Sequence, residues 1–156
     1  MSRVIIIGNS GSGKSTLARA LANATGIPIL DLDTIYWEPG KIAVARDPLH
    51  ARTDLEQFCT THPHWIVEGC YGELAALALA WSPELILVNP GETACLSHCR
   101  NRPWEPHKYA SRADQDSKLE FLLTWVSGYY TRDDDMSLKS HRALFDAYSG
   151  PKREVR

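Results

Sequence analysis

The chain has no long apolar run: its longest, residues 74–81, is eight residues, whereas a membrane-spanning helix needs about 20. No membrane partner is therefore expected. Nor is there a surplus of positive charge. Seventeen Lys and Arg stand against 19 Asp and Glu, a net charge of −2, which argues against binding nucleic acid through a broadly basic surface. Repeats and low-complexity tracts are missing, and the apolar start, residues 4–7, is too short for a signal-peptide core and runs straight into glycines. Without an export signal, Cys59, Cys70, Cys95 and Cys99 are expected as reduced thiols in a cytoplasmic setting. Cys59-x-x-His62-x-His64 and Cys95-x-x-His98-Cys99 lack a second paired cluster at zinc-finger spacing.

What is present describes a folded chain. Its 156 residues are 44% hydrophobic and 23% charged, near ordinary globular values, and the length fits one domain, residues 1–156. Charge is uneven: residues 1–99 hold six basic and ten acidic groups, residues 100–156 eleven and nine. An anion site in the second half must therefore be a local cluster.

Short β-branched or apolar runs at residues 4–7, 29–32, 65–67 and 84–88 read as buried strands, with a weaker fifth at 152–156. Helical spacing predicts helices over 14–24, 48–61, 72–80, 92–102, 117–130 and 137–147. This alternation predicts an α/β fold with a parallel sheet of four to five strands and helices on both faces. Two long connections, 36–47 and 103–116, are candidate lids.

Residues 8–15 read Gly-Asn-Ser-Gly-Ser-Gly-Lys-Ser, a full G-x-x-x-x-G-K-[ST] match between a predicted strand and a predicted helix. This is a P-loop, and the expected fold is that of the P-loop NTPases. Gly8, Gly11 and Gly13 allow backbone N–H groups to converge on phosphate, with Asn9, Ser10 and Ser12 between them. The helix that follows points its positive end at the same anion. Lys14 is expected on the β and γ phosphates, Ser15 on Mg²⁺, and Thr16 near the α phosphate. ATP and Mg²⁺ are the expected cofactors.

A P-loop does not choose the reaction. The Asn-Lys-x-Asp run that specifies guanine in Ras-type GTPases is absent, and the fourth predicted strand ends in Asn89-Pro90 rather than in acid. Carboxylates follow the second and third strands instead, as Asp31-Leu32-Asp33 and Glu68-Gly69. Together with the P-loop, these resemble the small-molecule and nucleotide kinases of the shikimate kinase and adenylate kinase type. Leu32-Asp33 with Tyr36-Trp37, and Trp65-Ile66-Val67-Glu68-Gly69-Cys70-Tyr71, further resemble the kinase-like proteins called DNA topology modulation proteins. The chain departs from these patterns at two points. Arg112-Ala113-Asp114 stands where the latter carry Arg-Pro-Asp-Met, and Cys70-Tyr71 stands where adenylate kinases place Pro-Arg.

Asp31 and Asp33 are expected to face opposite sides of a strand end, at the sheet edge where such folds bind ligands. The resemblance implies that Asp33 is the acceptor-side carboxylate, which orients the acceptor hydroxyl, takes its proton or holds Mg²⁺ through water. Glu68 and Gly69 are expected on the acceptor or water-bridged metal, and Trp37 over the acceptor. Residues 98–112 gather His98, Arg100, Arg102, His107, Lys108 and Arg112 against Glu105 alone. Arg102-Pro103 resembles the arginine-proline that opens the lid of shikimate kinases, so Arg102 and Arg112 are the expected catalytic lid arginines, with Trp104 and Tyr109 near the base. Asp133-Asp134-Asp135 after Arg132 reads more simply as a solvated turn. The function that results is ATP-dependent phosphoryl transfer to a small-molecule acceptor. The rivals are an NTPase that uses water and a non-enzymatic nucleotide-binding module that signals to a protein.

Overall fold

The computed structural model describes residues 2–41, 44–106 and 108–156. Strand β1 (Arg3–Gly8) sends alternate side chains to opposite faces, with Ile5 and Ile7 in one core cluster and Ile6 in another, all fully buried. Burial of each such side chain contributes about 1.5–3 kcal/mol. Strands β2 (Ile29–Asp31), β3 (Trp65–Gly69), β4 (Glu84–Val88) and β5 (Lys152–Val155) complete a five-stranded sheet in the order β2-β3-β1-β4-β5. Every pairing is parallel.

Helix α1 (Lys14–Thr25) covers the Ile6–Ile66–Ile86 face through Leu17, Ala18 and Leu21. Helices α2 (Asp33–Tyr36), α3 (Pro48–Thr61) and α4 (Gly72–Ala78) cover the Ile5–Val67–Leu85 face. So does α8 (Leu138–Ala147), through Leu144 and Phe145. Helices α5 (Glu92–Arg100) and α7 (Leu119–Gly128) pack on each other through Cys95, Cys99, Leu123 and Val126, and α6 (Arg112–Ser117) precedes α7. A sheet with both faces covered explains why its central strands carry no polar alternation.

Three differences from the sequence reading bear on the site. The second strand ends at Asp31, because Leu32 turns inward, donates its N–H to the Glu68 carbonyl at 2.9 Å and opens the one-turn helix α2. The helix expected over 117–130 is α7, and a further helix, α6, precedes it across Lys118 within the connection expected at 103–116. Ser111 caps α6 by accepting from Asp114 N–H at 3.0 Å, so residues 112–116 of the long connection are helical. The helix expected over 92–102 stops at Arg100, with Asn101 as its cap.

β3 lies between β1 and β2, so the chain leaves β3, crosses β1 and forms β4. The carboxyl ends of β1 and β3 flank this reversal, where a crevice opens in sheets of this kind. Gly8 ends β1 and Glu68-Gly69 ends β3.

Candidate active site

The phosphate loop joins β1 to α1 and is packed from behind. A Cβ on Gly8 would lie 2.5 Å from the Val88 carbonyl oxygen, and one on Gly11 2.5 Å from that of Cys95 and 2.7 Å from Cys99 Sγ. The Gly13 backbone is left-handed, with φ of 98°, as it enters α1, a conformation in which glycine carries no steric penalty. Asn9 is buried and turns its side chain away from the loop mouth, donating from Nδ2 to the Val126 carbonyl at 3.0 Å. Its contribution to the loop mouth is therefore its backbone. Ser12 is buried and its Oγ has no partner among the described residues. Ser10 lies at the turn and Thr16 is exposed on the first turn of α1. Lys14 Nζ donates to the Asn9 carbonyl at 2.7 Å, which places its charge over the loop.

Ser15 Oγ donates to Glu68 Oε1 at 2.9 Å. Glu68 is almost fully buried; burial and the charge of Asp31 push its carboxyl above the usual range. Gly69 leaves room for Leu32, whose Cβ would be 2.8 Å from any Cβ there. Among the described residues no three His, Cys, Asp or Glu side chains form a metal cage. The Ser15–Glu68 pair is an all-oxygen donor set, the kind a hard cation held mainly by phosphates and water accepts. The residues present therefore fit Mg²⁺.

The two aspartates do not face opposite ways. Asp33 is the first residue of α2 rather than a strand residue, and its N–H bonds to Asp31 Oδ1 at 2.9 Å. The alternation rule fails because the strand stops between them. Burial and the adjacent Asp33 charge push Asp31 up. Burial also acts against the charge on Asp33, but Lys108, the Tyr71 hydroxyl and Lys14 outweigh it and hold its carboxyl below the ordinary range. Of the two, Asp33 is thus the carboxylate whose charge the surroundings favour.

Asp33 is gripped by Tyr71 and Lys108, which the sequence reading does not pair with it. Tyr71, buried in the loop after β3, donates from its hydroxyl to Asp33 Oδ1 at 2.5 Å. Trp37 Nε1 donates to the same hydroxyl at 2.8 Å, and Tyr36 stacks on the Tyr71 ring at 4.1 Å. Trp37 therefore reaches Asp33 through Tyr71. Lys108 Nζ lies 3.3 Å from Asp33 Oδ2 and 3.8 Å from Glu105 Oε2. Burial opposes its charge, but Asp33 and Glu105 hold Lys108 above its usual value.

The lid arginines are placed differently. Arg102 is 3.9 Å from Cys99 Sγ and 3.8 Å from Glu105. Arg112 forms an exposed pair with Asp116 at 3.1 Å on α6. Trp104 is 43% exposed, with its indole N–H on the Tyr109 carbonyl. The Tyr109 ring lies under Lys118 Nζ. His98 Nδ1 bonds to the Gly11 carbonyl at 2.6 Å, a contact with the phosphate loop that no motif announces. Among the remaining sequence candidates, Asp134 accepts from Arg132, Asp135 accepts from Glu73 N–H, and His107 lies outside the described residues. The four cysteines are free thiols.

No family model matches the chain. A mouse protein named "Probable gluconokinase" is 32% identical over 97 residues, which is 60% of this chain and 53% of that protein. The chain thus spans about half the length of this curated relative. A sugar kinase structure from Janibacter sp. HTCC2649 aligns with a TM-score of 0.54 at 13% identity, covering 99% of this chain and 85% of that one. Shikimate kinase from Bacteroides thetaiotaomicron aligns with a TM-score of 0.52 at 16% identity, covering 93% and 97%. At these identities the likeness is one of fold. With its P-loop after β1 and its strand order, the chain has the fold of the P-loop small-molecule kinases.

Proposed function

We propose that the protein transfers a phosphoryl group from ATP, with Mg²⁺, to a hydroxyl of a small-molecule acceptor. The observation that carries this reading is one crevice holding a complete phosphate loop and, beside it, an ionised Asp33 oriented by Tyr71 and faced by Lys108. Backbone N–H groups of residues 8–15 and the start of α1 hold the phosphates, and Lys14 neutralises them. Ser15 and Glu68 would hold the Mg²⁺, which would supply positive charge to offset that of the phosphates. Asp33 accepts the acceptor's hydroxyl hydrogen bond and aligns its oxygen for attack. Gly69 shapes the floor beside it.

Residues 103–116 act as the lid of a single domain, and Lys108 is its charge nearest the acceptor carboxylate. Arg102 reaches the phosphates by leaving Glu105. Catalysis of this type rests mainly on positioning and charge neutralisation. The acceptor is small, and no nucleic acid or membrane takes part. A cytoplasmic setting fits the four free thiols. The name of the mouse relative makes gluconate and other polyhydroxylated compounds the first acceptors to test.

The test is an acceptor screen with γ-labelled ATP. Label on a small molecule supports the kinase reading. Label released only as phosphate replaces it with the NTPase, and ATP binding without turnover replaces it with a nucleotide-binding module.

A further inference from the structure

His141 and Tyr129 are polar, fully or almost fully buried, and have no part in the chemistry above. His141 Nε2 lies 2.7 Å from the Cys70 carbonyl oxygen, and Nδ1 lies 2.8 Å from the Tyr129 hydroxyl. A carbonyl only accepts, so the proton sits on Nε2. A neutral ring then leaves Nδ1 as acceptor, and Tyr129 donates to it. Burial holds His141 down to about 4, which keeps the ring neutral and this tautomer in place.

The Cys70 carbonyl shares its planar peptide unit with the Tyr71 nitrogen. Pinning the carbonyl therefore fixes the direction in which Tyr71 leaves β3, and with it the position of the hydroxyl on Asp33. The same turn is tied down again where Gly72 N–H bonds to the Asp135 carbonyl at 3.1 Å. At the other end, Tyr129 caps α7, the helix that follows α6 of the lid. One turn earlier on α7, the Val126 carbonyl receives Asn9 of the phosphate loop.

We propose that Tyr129 and His141 are positioning residues: a buried relay from α7 through the Cys70 carbonyl that sets the Tyr71 hydroxyl on Asp33. The relay ties the acceptor carboxylate to the helix that also anchors the phosphate loop. The proposal takes its catalytic meaning from the reading of Asp33 as the acceptor-side group, so its test includes a readout independent of that reading.

The Asp33 carboxyl is titrated by NMR, with ¹³C-labelled aspartate, in wild type, Tyr71→Phe, Tyr129→Phe and the double variant. The charged and titratable groups around Asp33 are Lys108, Lys14, Tyr71, Asp31 and Glu68. Loss of the Tyr71 hydrogen bond raises the Asp33 midpoint. Tyr129→Phe is expected to raise it in the same direction by less, and to add nothing once Tyr71 is Phe. Where phosphoryl transfer is measurable, Tyr71→Phe lowers kcat about 10-fold and Tyr129→Phe less, with ATP affinity unchanged.

His141→Gln keeps an N–H near the Nε2 position and is expected to titrate at Asp33 like wild type, whereas His141→Phe is not. This pair decides the matter if Tyr129→Phe does not fold. A wild-type Asp33 midpoint in Tyr129→Phe or in His141→Phe overturns the relay, as do shifts that simply add in the double variant. Absence of phosphoryl transfer in wild type would remove the kinase reading and leave the titration result standing.

Discussion

The phosphate loop and the acceptor edge share one crevice, but they are built in different ways. The loop is eight consecutive residues whose ligands are backbone N–H groups, and its shape is set by contacts that exclude a Cβ at Gly8 and Gly11. The acceptor edge draws Asp33, Trp37, Tyr71 and Lys108 from separate stretches of chain and joins them by side-chain hydrogen bonds and an ion pair. About a third of the Asp33 and Lys108 side chains remain exposed. A backbone cradle of this kind tolerates side-chain change. A side-chain cluster can be retuned one residue at a time, and under the proposed function it is where acceptor choice would reside.

Asp33→Asn breaks the acceptor half alone and has the largest expected effect. Phosphoryl transfer should fall roughly 10²–10⁴-fold, with ATP affinity within a few-fold of wild type. Asp31→Asn should cost less, because Asp31 acts on the chemistry by holding the Asp33 N–H. Steady-state kinetics beside calorimetric ATP titration checks both, and equal losses in the two variants would make the pair a single unit.

Lys14→Ala breaks the other half. Turnover should drop roughly 10²–10³-fold through lost charge stabilisation, and ATP–Mg²⁺ binding should weaken with it. The fold should persist, since Lys14 lies over the loop and outside the core clusters. Titration of ATP–Mg²⁺ and thermal unfolding separate the two quantities.

The contrast also explains what was legible beforehand. A motif confined to residues 8–15 can be read directly, and so can Ile5–Ile7 or Leu85–Val88 as strands, because burial on both faces leaves continuous apolar runs. The one-turn helix α2 is too short to show a period, so strand alternation carried past Asp31 places Asp31 and Asp33 on opposite faces. Tyr71 and Lys108 were visible only as an aromatic in a recurring motif and a charge in a basic stretch. Their partner Asp33 is 38 and 75 positions away in sequence, so no local spacing encodes the contact. His141 reads as an ordinary helix residue until β3 and α8 are packed together.

Acid sharpens the comparison by loosening the acceptor edge from behind. His141 is held down to about 4 by burial, and in an unfolded chain it titrates near 6.5. The unfolded state then binds the extra proton first, so this contribution is full above about pH 6.5 and is lost as pH falls toward 4. The difference amounts to about 3 kcal/mol of unfolding free energy. Urea denaturation across that window should show it. The His141→Gln variant, which cannot titrate there, should lose less over the same window.

Lys108→Ala removes the lid charge from Asp33 without touching the phosphate loop. It should lower kcat about 10-fold and raise the Asp33 midpoint, since Lys108 is the foremost of the groups that lower it. ATP affinity should change less than kcat. A variant with weakened ATP binding and unchanged kcat would move Lys108 to the phosphate side of the crevice.

The smallest expected effect is at Arg112, and it tests which lid charges belong to the site. Arg112 and Asp116 are each more than half exposed and sit one helical turn apart on α6, a pairing worth about 0.3–0.5 kcal/mol. Arg102, with about a quarter of its side chain exposed, lies beside Cys99 and Glu105 at the base of the lid. If the lid closes as a unit through Lys108 and Arg102, Arg112→Ala should leave turnover within about twofold. Its protease pattern with and without ATP–Mg²⁺ should match that of wild type. Arg102→Ala should instead lose the protection that nucleotide gives and lower turnover more than affinity, because a lid cation acts on charge that develops in the transition state. Limited proteolysis of the three proteins, each with and without nucleotide, orders the charges. A large loss in Arg112→Ala would mean that α6 swings its exposed face into the crevice, and the division between an acceptor edge and a solvated lid surface would have to be redrawn there.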